Sequence, residues 1–302
     1  MDNNTKSAFV AIVGRPNVGK SSILNALLGQ KVAIVSPRPQ TTRTRIMGVL
    51  TENDTQLVFT DTPGMHKPKT RLGEFMVREI NESVGGVDYC VFVVEEKGEL
   101  TGAEEALIEQ FREQNLPAIL VINKVDRLKE KAVLAERIAM LSELYDFDAV
   151  VPVSAVKGEG LDELKSELCR LAEPGPHFFP DDTLTDQPER VIASEIIREA
   201  MLKLLSDEVP QGIAVDMEKM RERESGNIMD IDATVYCERD SHKGIIIGRQ
   251  GAMLKKIGTN ARVELESVFD IKINLSLWVK VREDWRNKES SLRSFGFRSQ
   301  EQ

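Results

Sequence analysis

Cysteines are few in this chain of 302 residues, and no apolar run is long. The three cysteines, Cys90, Cys169 and Cys237, lie far apart, and this spacing indicates neither a disulfide framework nor a metal knuckle. The longest apolar stretches, such as VDYCVFVV, fall well short of the roughly 18 to 20 residues that span a membrane. The N-terminal stretch MDNNTKSAFVAIVG lacks the pattern of an export signal. The sequence therefore predicts a soluble, cytoplasmic protein.

Acidic residues outnumber basic ones and give a formal net charge of -9. This charge argues against indiscriminate binding to nucleic acid, because a polyanion would be repelled. The charge is uneven, however. The segment from Lys243 to Arg262, here called the basic segment, contains no acidic residue and five basic ones: Lys243, Arg249, Lys255, Lys256 and Arg262. We expect its local charge to matter more for a polyanionic partner than the total does.

The length of the chain is sufficient for two packed domains. In the first half, strand-like apolar runs alternate with helical patterns, which predicts an α/β domain with a mostly parallel sheet and helices on both faces. The stretch LAEPGPHFFPDDTLTDQPER is rich in proline and has no periodicity, as is typical of a linker. Beyond it, the element order α, β, β, α, α, β predicts a smaller α+β domain. We expect domains over residues 1–174 and 191–302, joined by a linker over 175–190.

The segment GRPNVGKS matches the pattern G-x-x-x-x-G-K-[ST] between a predicted strand and a predicted helix. Its glycines would let backbone N–H groups surround a phosphate, Lys20 would reach the β and γ phosphates, and Ser21 would offer a hydroxyl to Mg²⁺. The alternative is a glycine turn with a surface lysine. The predicted phosphate-binding residues are Gly14, Arg15, Pro16, Asn17, Val18, Gly19, Lys20, Ser21 and Ser22.

The stretch LVFTDTPG places Asp61 at the end of a strand, where its carboxylate can hold a water on Mg²⁺. Thr62 and Pro63 lead from it to Gly64, whose N–H would meet a γ-phosphate. In isolation D-T-P-G is an ordinary turn, but its position after a phosphate loop favours the functional interpretation. Lys20, Asp61 and Gly64 are therefore candidate catalytic residues.

The stretch ILVINKVD indicates which base is bound. The two carboxylate oxygens of Asp126 match the N1–H and N2–H₂ groups of guanine, whereas adenine would present a lone pair, and such a mismatch is worth discrimination of about 10⁴. Asn123 would contact the purine edge, and Lys124 would lay its stem along the base. A solvated N-K-x-D turn is the alternative. With VSAVKG offering an N–H to the guanine carbonyl, the predicted base-binding residues are Asn123, Lys124, Asp126, Ser154, Ala155 and Val156.

In this order, GRPNVGKS, DTPG, NKVD and SAVKG resemble the motifs of the TRAFAC class of GTPases. The stretch SPRPQTTRTRIMGV is similar to the switch loop of its Era and tRNA-modification branch. The resemblance implies GTP and GDP as ligands with Mg²⁺, and a threonine of this loop as a second, catalytic hydroxyl on the metal. Thr42 is the first candidate and Thr41 the second; otherwise both are polar loop residues.

Met65 stands where signalling GTPases carry the glutamine that orients the attacking water, and a thioether lacks that hydrogen-bonding capacity. We therefore expect slow hydrolysis. His66 is a rival water-positioning residue, although a histidine in a charged loop is more often solvated. In GTPases that this chain resembles, an asparagine at the position of Asn17 helps to hold K⁺, which supplies positive charge to the transition state. The resemblance implies that K⁺ acts here too.

In the second half, HKGIIIGRQGAMLKKIG places a G-x-x-G loop between two predicted helices. Such a loop lets the backbone approach a sugar–phosphate chain while basic side chains and helix dipoles neutralise it, as in a KH domain. The alternative is a helical core element with a solvated basic face. The predicted RNA-binding residues are Lys243, Gly244, Gly248, Arg249, Gln250, Gly251, Lys255 and Lys256.

The stretches EVPQGIAV, GIIIGRQGAMLKKIGTNAR, LWVKVREDWR and LRSFGF resemble the type II KH domain of bacterial Era GTPases, so the resemblance spans nearly the whole chain. It implies a ribosome-assembly GTPase that binds the 3′ end of 16S ribosomal RNA and the 30S subunit, with no stable oligomer implied. Gln250 departs from the family pattern, in which glycine is frequent there. Trp278 and Trp285 could stack on bases, although an indole in an alternating strand is more often core.

Three hypotheses follow from these patterns. The leading one is a switch in which GTP orders the loops around Thr42 and Gly64, shifts the placement of the two domains and so permits RNA binding. The second is a constitutive RNA-binding protein with a structural nucleotide pocket. The third is a GTPase whose basic face meets an acidic partner or the inner face of the cell membrane.

Overall fold

The computed structural model describes residues 5–38, 40–64, 70–206, 209–224 and 226–297. Met65 and His66, for which the sequence raised opposite expectations, lie outside the described residues. The chain divides into two compact units. The first unit comprises Met1–Ala33, Thr42–Lys67 and Met76–Asp186, and the second comprises Ile34–Thr41, Pro68–Phe75 and Gln187–Gln302.

The first unit is built on a mostly parallel sheet. Over the described residues its seven strands are β1 (Lys6–Val13), β2 (Ile46–Glu52), β3 (Thr55–Asp61), β4 (Tyr89–Glu95), β5 (Ala118–Asn123), β6 (Ala149–Pro152) and β7 (Glu173–Pro174). They lie in the order β2-β3-β1-β4-β5-β6, with β7 paired to β1. Strands β3, β1, β4, β5 and β6 are mutually parallel, whereas β2 and β7 pair antiparallel with β3 and β1. The predicted mostly parallel sheet is confirmed.

Helices cover both faces of this sheet, as expected. They are α1 (Lys20–Leu28), α2 (Arg71–Val84), α3 (Gly102–Gln114), α4 (Lys131–Ser142) and α5 (Leu161–Leu171). Alternate residues of each strand point to opposite faces, so β1 sends Val10 and Ile12 into a core with α1 and α5, and Ala11 and Val13 into a core with α3 and α4. The two cores hold the strand ends in place, and the predicted site residues follow those ends.

Three elements of this unit were not among the predicted ones: β2, α2 and β7. Strand β2 turns back through Asn53, whose φ of +54° is left-handed, and pairs antiparallel with β3. Asn53 and Asp54 are both residue types that favour turns, but the alternation of strands and helices masked this signal.

The proline-rich segment predicted as a linker is bonded to the first unit over part of its length. The Gln56 side chain accepts from Phe178 N at 2.8 Å and donates to Phe179 O at 2.9 Å. Further along, Leu184 O accepts from Val49 N at 2.9 Å. These bonds add an ordered strap along β2 and β3.

The second unit is a smaller α+β fold. Its elements are α6 (Glu189–Leu204), β8 (Ala214–Glu222), β9 (Ile228–Cys237), α7 (Asp240–Ile247), α8 (Ala252–Phe269), β10 (Lys272–Val281) and α9 (Glu289–Ser294). The sheet order is β10-β9-β8, with β10 parallel and β8 antiparallel to β9. The predicted order α, β, β, α, α, β is confirmed, and α9 is additional. Among the described residues, no helix combines the length and apolarity that crossing a membrane requires.

The segment Ile34–Thr41 belongs to this second unit, where it lies along α6. Val35 N donates to Glu199 Oε1 at 3.0 Å, and the Arg198 guanidinium donates to Thr41 O. Both α6 side chains are almost fully buried. Buried charges of this kind stay in place only while their hydrogen bonds are made, so they hold the segment firmly.

Trp285 is fully buried in the second unit. Its indole N–H donates to Gly212 O at 2.9 Å, and its ring packs on Phe295 and Phe297 at centroid distances of 5.2 and 6.2 Å. Trp285 therefore cannot stack on an RNA base, and its core interpretation holds.

We expect Trp285→Ala to lower the free energy of unfolding of the second unit by about 3–5 kcal/mol, because it opens a large cavity and leaves Gly212 O without its donor. Trp278→Ala is the matched control, since Trp278 is 46% exposed, and we expect it to cost less than about 1 kcal/mol. Urea unfolding followed by tryptophan fluorescence checks both variants, because each retains one tryptophan in this unit. Equal losses in the two variants would contradict the assignment.

Candidate functional site

The predicted phosphate loop connects β1 to α1, which begins at Lys20. Gly14 has a φ of +147°, and a Cβ on it would lie 2.3 Å from Val93 O in β4, so no side chain fits there. A Cβ on Gly64 would lie 2.6 Å from Pro16 Cα. The D-T-P-G turn is thus packed directly against the phosphate loop, as the sequence predicts for two parts of one site.

Lys20 is buried beneath this loop. Its Nζ donates to Gly14 O at 3.1 Å and to Arg15 O at 3.2 Å. Burial lowers the pKa of Lys20 to about 8, although Asp61 and Glu104 oppose the shift. Lys20 is therefore a cation at neutral pH that lacks its full hydration, and an anionic phosphate beside it would restore the lost stabilisation.

Three oxygen-bearing side chains meet next to Lys20. Ser21 Oγ donates to Asp61 Oδ2 at 2.6 Å, and the Thr42 hydroxyl lies 3.1 Å from Ser21 Oγ and 3.5 Å from Asp61 Oδ2. The hydroxyl of Thr41 donates instead to Arg38 O at 2.6 Å. The geometry therefore brings Thr42, the first candidate, to the cluster and directs Thr41 elsewhere.

This cluster fits a magnesium ion. Asp61 Oδ1 is buried and has no hydrogen-bond partner among the described residues. Carboxylate and hydroxyl oxygens are hard ligands, and Mg²⁺ is usually held by one or two of them together with phosphate oxygens and water. Among the described residues, no group of three or more His, Cys, Asp or Glu side chains is arranged to hold a metal ion.

Asn123 joins the phosphate loop to the loops that follow β5 and β6. Its Nδ2 donates to Val18 O at 2.8 Å, and its Oδ1 accepts from Ala155 N at 3.2 Å. A Cβ on Gly19 would lie 2.2 Å from Asn123 Nδ2, so glycine is required at that position. Asn123 braces the loops, as predicted. Its Oδ1 is the acceptor, in this structure, of the Ala155 N–H that the sequence led us to expect on the guanine carbonyl.

Asp126 and Lys124 lie on the same loop. Ser154 Oγ donates to Asp126 Oδ1 at 2.7 Å, and this bond holds the pKa of Asp126 below its usual range, so the residue is a carboxylate at neutral pH. Lys124 has a φ of +67°, and its Nζ donates to Asn17 O at 2.6 Å. Phosphate loop and base loop are thus bonded together.

The remaining predicted nucleotide residues surround these. Thr62 is buried and donates to Ile12 O at 2.9 Å, and Pro63 is buried after β3. Ser22 lies in the first turn of α1. Val156 is 88% exposed, so its side chain adds little to the walls of the site.

Glu95 was not predicted, although it lies within the site. It ends β4, and its carboxylate accepts from both Arg15 and Lys124. The signal was available, because functional residues gather at the carboxyl ends of parallel strands and Glu95 is at such an end.

The predicted RNA-binding loop links α7 to α8. Gly248 has a φ of +71°, and a Cβ on it would lie 2.7 Å from Met253 Cβ, so glycine is required. Gln250 also has a left-handed backbone, with a φ of +52°. A non-glycine residue in that conformation costs roughly 1–2 kcal/mol. This left-handed backbone accounts for the glycine that the resemblance led us to expect at this position, and the glutamine adopts it at a cost.

Beside this loop, α8 and β10 form a groove of about 410 Å³. It is lined by Gly251, Leu254, Lys255, Gly258, Thr259, Arg262, Leu275 and Leu277. An apolar floor with two basic side chains suits bases on the floor and phosphates at the rim. Of the predicted RNA residues, Gly251 and Lys255 line the groove and Lys256 does not. Arg262 was predicted as part of the basic segment but not as an RNA-binding residue, and the leucines were not predicted. Residues 255, 259 and 262 share one helical face.

Trp278 lies on the other face of the sheet. Neighbouring residues of a strand point to opposite faces, and Leu277 lines the groove, so the Trp278 side chain points away from it. Trp278 therefore does not line this groove, and because its side chain is 46% exposed, its stacking on a base stays a prediction.

Family models match both halves of the chain. A model described as "50S ribosome-binding GTPase" matches residues 9–124, and a model described as "KH domain" matches residues 208–286.

Relatives match almost the entire chain. A protein named GTPase Era from Ruminiclostridium cellulolyticum is 49% identical over 294 residues, which cover 97% of this chain and 98% of that protein. GTPase Era from Clostridioides difficile is 49% identical over 292 residues, with 97% and 98% covered. A crystal structure of Era with MgGDPNP and nucleotides 1506–1542 of 16S ribosomal RNA is similar with a TM-score of 0.93 and 38% identity, covering 97% of this chain and 99% of that one.

The state of Asp61 predicts how nucleotide binding depends on pH. Burial raises the pKa of Asp61 to about 6, although Lys20, Ser21 and Thr42 oppose the shift. Above that pH the carboxylate is ionised and can serve Mg²⁺; below it, a proton competes with the metal. We expect the affinity for Mg²⁺–nucleotide to fall about tenfold per pH unit below 6.

Calorimetric titration of a guanine nucleotide from about pH 5 to 7 measures this slope, with Asp61→Asn as the control. The variant keeps the shape of the side chain but cannot titrate, so the difference between the two slopes isolates Asp61 from the titration of the phosphates. Parallel slopes would contradict the prediction.

Proposed function

This chain belongs to the Era family of GTPases, and we propose that it is a slow, Mg²⁺-dependent GTP switch that binds the 3′ end of 16S ribosomal RNA and acts in assembly of the small ribosomal subunit. The observation that carries the proposal is the meeting of Lys20, Ser21, Thr42 and the unpartnered Asp61 Oδ1 at one point. The division into residues 1–174, a linker 175–190 and residues 191–302 is part of the proposal.

The phosphates would be bound by the loop amides, the N-terminus of α1 and Lys20. Helix α1 begins at Lys20 with no side-chain cap, so its first N–H groups point toward an anion. Ser21 and Thr42 would hold Mg²⁺ directly and Asp61 would hold it through water. Bound there, the metal neutralises charge on the β and γ phosphate oxygens. Gly64 N–H would meet the γ-phosphate at the other side.

Guanine would be selected by Asp126. Its carboxylate matches the two donors of the guanine edge, and Ser154 holds it in place. Asn123 ties this loop to the phosphate loop, so recognition of the base and of the phosphates is built on one framework. A base that leaves Asp126 unpaired would lose affinity by orders of magnitude.

The second unit would bind RNA through the groove between α8 and β10. Single-stranded RNA would be gripped by the basic segment and the G-x-x-G loop, while bases would rest on the apolar floor. The identity of the RNA comes from the Era structure that contains a 16S ribosomal RNA segment. Contact with the 30S subunit would follow from that RNA, and a peripheral membrane contact is the competing role for the same basic surface.

Nucleotide state and RNA binding would be linked through the segment Ile34–Thr41. It lies in the second unit on α6, and Thr42 is the next residue in the chain. A change in the position of Thr42 on loss of the γ-phosphate would therefore act on a segment that α6 holds.

We expect hydrolysis to be at least about fivefold faster in KCl than in NaCl of equal ionic strength, because a K⁺ ion held by Asn17 would add positive charge at the transition state. Asn17 is exposed and left-handed, with a φ of +67°. Asn17→Gly thus removes the side chain without backbone strain and should abolish the preference for K⁺. Phosphate release measured under both salts checks this, and equal wild-type rates would contradict it.

We expect Lys255→Ala with Arg262→Ala to weaken binding of an RNA of nucleotides 1506–1542 about tenfold, because two cations of the groove are lost. The slope of log affinity against log salt should fall by about 1.4, at roughly 0.7 per charge on a single strand. Fluorescence anisotropy across a salt series measures both quantities.

The matched control is Lys272→Ala with Lys280→Ala, which removes two exposed cations from the opposite face of β10. Equal weakening by both pairs would show a general charge effect and contradict the groove. Repeating the titration with a GTP analogue, GDP and no nucleotide distinguishes a switch from constitutive binding, which gives equal affinities. Loss of binding to anionic liposomes with RNA binding intact would favour the membrane role.

A further inference from the structure

Glu95 connects two motifs of the nucleotide site. It is the last residue of β4, and its side chain is 24% exposed. One carboxylate oxygen accepts from the Arg15 guanidinium and the other from Lys124 Nζ. Lys124 Nζ also donates to Asn17 O at 2.6 Å. The ammonium group is thus held between a carboxylate and a phosphate-loop carbonyl.

Arg15 is itself anchored on its far side. Its Nε lies 3.8 Å from Glu104 Oε1, and Glu104 is 1% exposed. Thr101 holds Glu104 through a capping box at the start of α3, in which Thr101 N and Oγ1 donate to Glu104 Oε2 at 2.8 and 2.9 Å. The fixed arginine in turn fixes the orientation of the Glu95 carboxylate.

Glu95 is ionised at neutral pH. Burial acts to raise its pKa, but Lys124 and Arg15 outweigh burial and hold the pKa below its usual range. A charged acceptor forms a stronger bond to an ammonium group than a neutral one does.

Lysine is a residue that needs such an anchor. Its four-carbon stem has many rotamers, and ordering the stem costs up to about 2 kcal/mol. If the stem is ordered before the nucleotide binds, binding does not have to overcome this loss of conformational entropy. The affinity is then higher, and the complex dissociates more slowly.

We propose that Glu95 is a positioning residue for guanine nucleotides, which acts by holding Lys124 in the place where its stem covers the base. The inference rests on the proposed assignment of residues 123–126 to guanine. It extends that assignment with a residue on a different strand, because Glu95 contacts the side chain that covers the base and lies in none of the four motifs.

The test is Glu95→Gln, which keeps the shape of the side chain and removes its charge. We expect a fluorescent GDP analogue to dissociate about five- to tenfold faster in stopped flow, with a similar rise in KM for GTP. Glu95 contacts Arg15 of the phosphate loop but none of Lys20, Ser21, Thr42, Asp61 and Gly64, the predicted catalytic and metal-binding residues, so kcat should change less than about twofold. Glu95→Asp retains the charge on a shorter stem and should restore part of the residence time.

Glu99→Gln is the matched control, since Glu99 is an exposed glutamate four residues along the same loop. We expect the wild-type dissociation rate for it. Melting temperatures of the nucleotide-free variants establish that each one folds.

A double-mutant cycle with Lys124→Met tests the route of action. This substitution removes the ammonium group but keeps an apolar stem. If Glu95 acts through Lys124, adding Glu95→Gln to Lys124→Met changes the dissociation rate less than about twofold. Fully multiplicative effects would overturn the inference. Wild-type dissociation from Glu95→Gln would also overturn it, leaving the proposed function intact, whereas a wild type that fails to bind GDP would refute both.

Discussion

Lys20 and Asp61 lie buried at the junction of β1, α1 and β3, where neither charge is well hydrated. Their mutual attraction recovers part of that loss, yet burial still shifts each pKa toward the neutral form. Binding of a ligand that brings both a negative and a positive charge therefore stabilises the site. A magnesium–triphosphate pair would do so in the proposed binding mode, with phosphate oxygens beside Lys20 and the metal beside Asp61. Strands β1 and β3 and helix α1 hold these two charges in place.

That role explains which residues of the site must be glycine or threonine. The glycines permit close approach of β4 and of the D-T-P-G turn to the phosphate loop. Thr42 reaches the cluster while the hydroxyl of Thr41 is used by Arg38 O, because successive residues of an extended loop point in different directions. The choice between the two threonines was open from the sequence, since it depends on the path of the loop and not on residue type.

Much of the site could be predicted because its motifs are local in sequence. Each of the four motifs combines a particular turn of the backbone with a particular functional group. The motifs follow neighbouring strands, so the strand ends bring the four motifs together. Glu95 and the groove residue Arg262 were harder to find, because their partners come from other elements. Strand β2 was not predicted for a related reason. Its apolar and polar residues do not alternate regularly, which is the pattern that marks a strand. The turn at Asn53 was the clearer signal. Trp285 was ambiguous because burial of an indole depends on the surrounding core, which includes Phe295 and Phe297.

The contact between Gly19 and Asn123 has an evolutionary consequence. The amide of Asn123 occupies the space that any side chain at position 19 would need. A substitution there would push this amide away and break its bonds to Val18 O and Ala155 N together. The phosphate loop and the guanine loop can therefore not drift independently over generations. Among descendants of a common ancestor, the two positions should therefore be inherited as a pair.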